Sequence, residues 1–377
     1  MKQLIFFCLL FPGLASAQIF KSKVELDRIR EANYLDQEDY RNTIFYIIQQ
    51  GWTANMPIST ASAITNGVFP IQDRRVPMKD NEGESNDYLL EADLYLSYPL
   101  IYGRKEYGVA SNKLARIAFD YGVNFRMLYD NSSPVTPPSQ KPGLSYQMNL
   151  YNNYSKWFGS SWKKNSKDSI YRLKPGKNLT FVNFLFKVQH YSNGQSGDSI
   201  YIEPESGLER NNYRDGDFST NYLYFQTTLG KYHVGYKNLH QLSVGYRWDW
   251  GSSDGTFAYS GGQDFKYGRN RLTLIYDYRS SPRQDIPWHF RADFNYIIGD
   301  LGEFQANIDS DKKYRTGAKL FFALTPKYHR SVGYFVSTYY GRDYLNIRYD
   351  DIVFVFRIGL SLSLDGYKIN KAKNVMN

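Results

Sequence analysis

The chain is poor in the residues that would make it an ordinary secreted or helical membrane protein. It has a single cysteine, Cys8, which lies inside the opening apolar segment. With that segment removed as a leader, no disulfide can form, and there is no Cys/His cluster to bind a transition metal. No later stretch approaches the ~20 apolar residues that a bilayer-spanning helix needs, so helical membrane insertion is excluded. The 29 glycines build no phosphate-binding loop. No shift in composition large enough to mark a linker divides the chain into domains. The formal net charge of +9 is spread along the chain, which suits a solvated surface, anionic lipid headgroups or lipopolysaccharide. Nucleic acid is not an expected partner of an exported chain.

Export is read from the first residues. Lys2 is followed by an apolar run from Leu4 to Leu14 and by Ala15-Ser16-Ala17, the charge, apolar and small-residue order of a signal peptide. Residues 1–17 are therefore expected to be a leader, 18–42 a polar N-terminal segment, 43–364 the body and 365–377 a polar tail. A body of this length without linkers suits one large closed sheet. The 35 tyrosines and 24 phenylalanines match the aromatic girdles of membrane barrels. A soluble all-β protein is the alternative that composition leaves open.

From residue 87 onward, segments of about ten residues alternate apolar and polar and end in turn residues, the weak signature of transmembrane strands. They fall near 87–99, 112–129, 143–155, 178–193, 218–230, 238–250, 268–279, 288–298, 313–325, 331–341 and 351–363. With Thr43 to Gln49 as first strand, the expectation is an all-β fold, a transmembrane antiparallel β-barrel of about 12 strands. An even number leaves no unpaired edge in lipid. In the last segment Ile352, Phe354, Phe356, Ile358, Leu360 and Leu362 share one face, and Arg357 and Ser361 the other. The polar row is assigned to the lumen, where a charge is hydrated or paired.

The same alternation isolates two residues with chemistry. Between Phe181 and Asn193 the even positions Val182, Phe184, Phe186 and Val188 form an apolar row that ends in His190 and Ser192. On the lipid face of a barrel this pair offers a base and a nucleophile to acyl chains. It could equally bond only water and headgroups. The following strand carries Asn221 at the start of its own apolar row, at the same rim, where an amide oxygen could hold the imidazole in a useful tautomer.

His190-Tyr191-Ser192-Asn193-Gly194 followed by Asn221-Tyr222-Leu223-Tyr224 resembles the His-x-Ser-Asn-Gly and Asn-Arg-Leu-Tyr elements of the outer-membrane phospholipase A family. Tyr339-Tyr340-Gly341, Arg348-Tyr349, Arg357-Ile358-Gly359-Leu360 and Asn131-Ser132-Ser133-Pro134 are similar to further family segments. The resemblance implies a twelve-stranded barrel with Ser192 as nucleophile, His190 as base and Asn221 as orienting group. It also implies calcium, membrane phospholipids as substrate, and a homodimer in the outer membrane that gates activity. Two readings compete with it: a lipid A deacylase, whose family shares a His-x-Ser-Asn element, and a catalytically silent pore or structural barrel.

The calcium ligands that the resemblance implies are the Gln195 carbonyl and Asp217, which stands where the family has serine. Asp198 and Asp215 belong to the same acidic connection, which holds six acidic residues against Arg210 and Arg214. That connection is longer than in the family, which leaves Asn211 or Asn212 as alternatives to Asn221. Phe125 to Leu128, near the family's dimer-forming region, contains no glutamine.

Overall fold

The computed structural model describes residues 34–35, 61–66, 71–73, 88–102, 115–128, 138–152, 171–172, 178–202, 204, 207, 209–212, 216–233, 238–250, 267–280, 288–299, 301, 315–326, 332–345, 349 and 352–363. The leader, the segment 18–42 apart from 34–35, the proposed strand Thr43 to Gln49 and the tail 365–377 lie outside them. The barrel strands are β1 (Ala61–Asn66 with Ile71–Asp73), β2 (Tyr88–Tyr102), β3 (Ala115–Leu128), β4 (Ser139–Asn152), β5 (Asn178–Ser192) and β6 (Ser219–His233). They continue as β7 (Asn238–Trp250), β8 (Asn270–Arg279), β9 (Trp288–Ile298), β10 (Thr316–Leu324), β11 (Val332–Arg342) and β12 (Ile352–Ser363).

Each strand pairs antiparallel with the next, and β12 closes the ring by pairing with both β11 and β1. The two pieces of β1 lie end to end along β12, in registers one residue apart. They come from the stretch that the sequence pattern leaves irregular. All other strands fall where alternation puts them, because a strand with one face in lipid and one inside must alternate, and every backbone amide in hydrocarbon must find a partner. Among the described residues no helix is long and apolar enough to cross a membrane.

The faces sort as the alternation requires. Along β5 the odd positions from Phe181 to Asn193 are all buried, and the even ones are not. On β12, Val353, Val355 and Arg357 are buried while Ile358 and Leu360 are exposed. Leu229 (52%), Val244 (56%) and Ile358 (51%) are more than half exposed, the reverse of a soluble domain and the mark of a lipid-facing surface. On β6 the apolar outward band runs between Asn221 and Lys231. Ten residues (231 − 221) at about 3.3 Å each, tilted by roughly 40°, span about 25 Å, the height of a barrel's hydrocarbon belt.

Several charges of the interior are paired and buried. Arg126 meets Glu91 at 3.1 Å and Asp343 at 2.7 Å, and Arg357 meets Glu91 at 2.9 Å and Asp93 at 3.2 Å. Lys187 contacts Asp120 at 3.3 Å and the Tyr95 hydroxyl at 3.0 Å. His289 and Arg291 pair with Asp277 (2.6 Å) and Asp293 (2.8 Å). Tyr344 donates to Glu91 from the rim, and burial holds its phenol above the ordinary range, so it remains a donor. Phe181 lies across Gly230, where a Cβ would come within 2.0 Å of the ring.

Phe186 marks the middle of the lipid face, paired across the strands with Phe225 at 5.1 Å between ring centroids. Phe186→Arg is expected to destabilise the barrel by roughly 2–4 kcal/mol, as a charge at mid-depth does, and Phe186→Leu by far less. Urea unfolding of the barrel reconstituted in vesicles measures both. Similar losses in the two variants would place the lipid face elsewhere.

Candidate active site

Two strand ends build the site. β5 rises to Ser192 and β6 descends from Ser219, in a register that sets Ser219 opposite Ser192 and Asn221 opposite His190. All four are on the outward face, at the upper edge of the apolar band. His190 Nδ1 lies 3.0 Å from Asn221 Oδ1. An amide oxygen only accepts, so Nδ1 carries a proton, and in the neutral imidazole Nε2 is then the unprotonated nitrogen. Asn221 is 7% exposed although its strand face is outward. Its cross-strand neighbour on the other side is Trp250, whose ring lies tilted beside Trp248 with centroids 6.1 Å apart.

Ser192 stands two residues beyond His190 on the same face. Among the described residues no hydrogen bond joins them. Gln140, opposite Ser192 on β4, shares that face, so Gln140, Ser192 and Ser219 form a polar row above the apolar band. Alternation along a single strand could not reveal Gln140, since its approach depends on the β4 to β5 register. Asn212, the alternative orienting amide, bonds the Asp198 carbonyl at 3.0 Å, and the partner of His190 is Asn221. Asn211 lies in a short hairpin with Ile200–Ile202.

The connection after Ser192 is pinned by the next residue. Asn193, 1% exposed, points inward; its Nδ2 donates to Gly216 O at 2.8 Å, and its Oδ1 accepts from Phe218 N at 3.0 Å and Gln195 N at 3.2 Å. Its own amide donates to Phe218 O at 3.0 Å. Gly194 follows with φ 68, a left-handed conformation that side chains strain to adopt. Asp217 N then donates to Gly197 O at 2.8 Å. Behind this clamp Tyr191, Phe218, Tyr222, Tyr267 and Tyr349 pack into one buried cluster inside the barrel mouth. The sequence offered Asn193 only as part of a motif, and the clamping role needs the fold.

Of the four residues proposed for a cation, the clamp brings Gln195 and Asp217 onto abutting segments just beyond Ser192 and Ser219. Asp217 is half-buried. Asp198 is exposed, with its carbonyl already engaged. Asp215 lies outside the described residues. No group of three or more His, Cys, Asp or Glu side chains gathers among the described residues. The donors here, carbonyl oxygens and a carboxylate, have the chemistry of a hard cation that also takes water.

No family model matches the chain, and no curated protein matches it. Solved structures similar to it include outer membrane phospholipase A from Escherichia coli, 14% identical with a TM-score of 0.46, covering 83% of this chain and 96% of that one. The Salmonella typhi outer membrane phospholipase dimer with bound calcium is 15% identical with a TM-score of 0.46, covering 81% and 90%. The transport unit of the autotransporter AIDA-I from Escherichia coli is 8% identical with a TM-score of 0.31, covering 81% and 88%.

Asn193→Ala removes three side-chain hydrogen bonds, each worth about 1 kcal/mol net. Limited proteolysis within 193–217 is expected to speed up about tenfold or more, as a local loss of more than about 1.4 kcal/mol implies, while the barrel keeps its heat-modifiable mobility. Unchanged cleavage would mean that the connection is held elsewhere.

Proposed function

We propose that the chain is an outer-membrane phospholipase whose site opens onto lipid. The observation that carries the reading is the 3.0 Å contact between His190 Nδ1 and Asn221 Oδ1, made on the lipid side of the barrel with Ser192 on the same face. A buried orienting amide, a base with its outer nitrogen free and a hydroxyl at the edge of the hydrocarbon belt meet where the ester bonds of a phospholipid lie. Its acyl chain has Val188, Phe186 and Phe225 to lie against.

Ser192 Oγ attacks the ester carbonyl as His190 Nε2 takes its proton. The imidazolium, held by Asn221, then gives that proton to the departing glycerol oxygen, which leaves as lysophospholipid. Water, deprotonated by the same Nε2, cleaves the acyl-serine and releases a fatty acid. The Gln195 carbonyl and Asp217 would hold a calcium ion, which when bound supplies positive charge beside the developing oxyanion. Dimerisation, with phospholipid bound between two copies, belongs to the same reading.

A pore is the weaker reading, because Arg126–Glu91–Arg357 and Lys187–Asp120 are buried ion pairs across the interior. A lipid A deacylase shares the nucleophile and differs in substrate, so both substrates belong in the assay.

Hydrolysis of detergent-dispersed phospholipid tests the reading. Ser192→Ala is expected to leave a folded barrel and reduce the rate by ~10³ to 10⁶, and His190→Ala by about as much, with the double variant no worse than either. Retained activity in Ser192→Ala, or losses that multiply, would remove the triad assignment. Activity is expected to vanish in chelator and to return with calcium rather than magnesium, and Asp217→Ala is expected to raise the calcium requirement. An unshifted calcium titration would take the ligand role away from Asp217.

A further inference from the structure

The outward face of β6 to β10 carries no carboxylate among its described residues. Its lower edge, opposite the rim of Ser192, is basic. Lys231, exposed, stands directly across from His240, and His240 directly across from Tyr278. His233 follows Lys231 on the same face. The Tyr276 hydroxyl lies 2.9 Å from His240 Nδ1, and when it donates there the ring proton sits on Nε2, available to an acceptor. The imidazole packs edge-on against Tyr278 at 4.6 Å, and Tyr278 against Trp288 at 4.4 Å. A tyrosine and tryptophan girdle is what any barrel places at the membrane surface. A girdle needs no cation beside a fixed imidazole donor, and this one has both in one row.

We infer that Lys231 and His240 bind the phosphate of an anionic phospholipid in the leaflet opposite Ser192. Lys231 Nζ supplies the charge and His240 Nε2–H the directed hydrogen bond, with Tyr276 and Tyr278 fixing the ring. Immediately above the pair, Leu229 and Leu242 face each other across the strands and are 52% and 45% exposed. An acyl chain gains from that apolar surface and a free phosphate ion does not, which favours a lipid over a dissolved anion. The site shares no residue with the phospholipase reading and stands without it.

The test uses the full chain in detergent with diether lipids, whose linkages no esterase cleaves. Native mass spectrometry compares the retention of diether phosphatidylglycerol with that of diether phosphatidylcholine of equal chain length. The wild-type protein is expected to retain the anionic lipid about fivefold better, the weight of one cation near an anionic headgroup. The preference is expected to fall to parity in Lys231→Gln/His240→Gln and to be reduced in Lys231→Gln alone, with heat-modifiable mobility verifying both folds. No preference in the wild type, or a preference that survives in both variants, overturns the site. Displacement of the anionic lipid by inorganic phosphate, but not by chloride of equal ionic strength, would make it an anion site only and overturn the lipid assignment.

Discussion

Every feature of this molecule answers to the cost of an unpaired peptide group in hydrocarbon. A sheet in lipid can have no free edge, so the last strand must find the first, even though β1 pairs with it as two short pieces in registers one residue apart. Once the ring is closed, each side chain has two options, lipid or interior, and the period of two assigns them. The interior then holds Arg126, Lys187, Arg291 and Arg357, which would be prohibitive facing outward. It can hold them only because each meets a carboxylate. Such buried pairs contribute little net stability but are costly to break, so they resist rearrangement of the barrel.

The site draws on the same two faces. His190 and Asn221 meet because antiparallel pairing sets them opposite each other and parity turns both outward. Asn193, one residue past Ser192, obeys the opposite parity and turns inward, where it ties the following connection to β6. Consecutive residues thus divide the work, Ser192 at the lipid surface and Asn193 as the anchor beneath it.

How much of this could be read from the sequence follows from which interactions are periodic. The strands from β2 to β12, the outward row of β5 and the pairing of His190 with Asn221 rest on alternation and on antiparallel geometry, and both are visible in residue order. The first strand was not, because Ala61–Asn66 and Ile71–Asp73 are short and set in a stretch rich in turn residues, so their apolar pattern is too brief to register. Alternation places Arg357 inside but does not say whether water or Glu91 will meet it, since that depends on strands far apart in sequence. Gln140 was missed for a similar reason. Its position beside Ser192 is fixed by the register between β4 and β5, which no local pattern encodes.

The register between β5 and β6 runs unbroken over 15 residue pairs, from Ser219 opposite Ser192 down to His233 opposite Asn178. The sheet, and not the chain that links its strands, therefore holds His190 against Asn221. The stretch between Gly197 and Gly216, which form an isolated bridge, hangs from a closed base. It can lengthen, shorten or change composition over evolutionary time while the residues below the clamp keep their places. Natural variation is expected to accumulate in this stretch first.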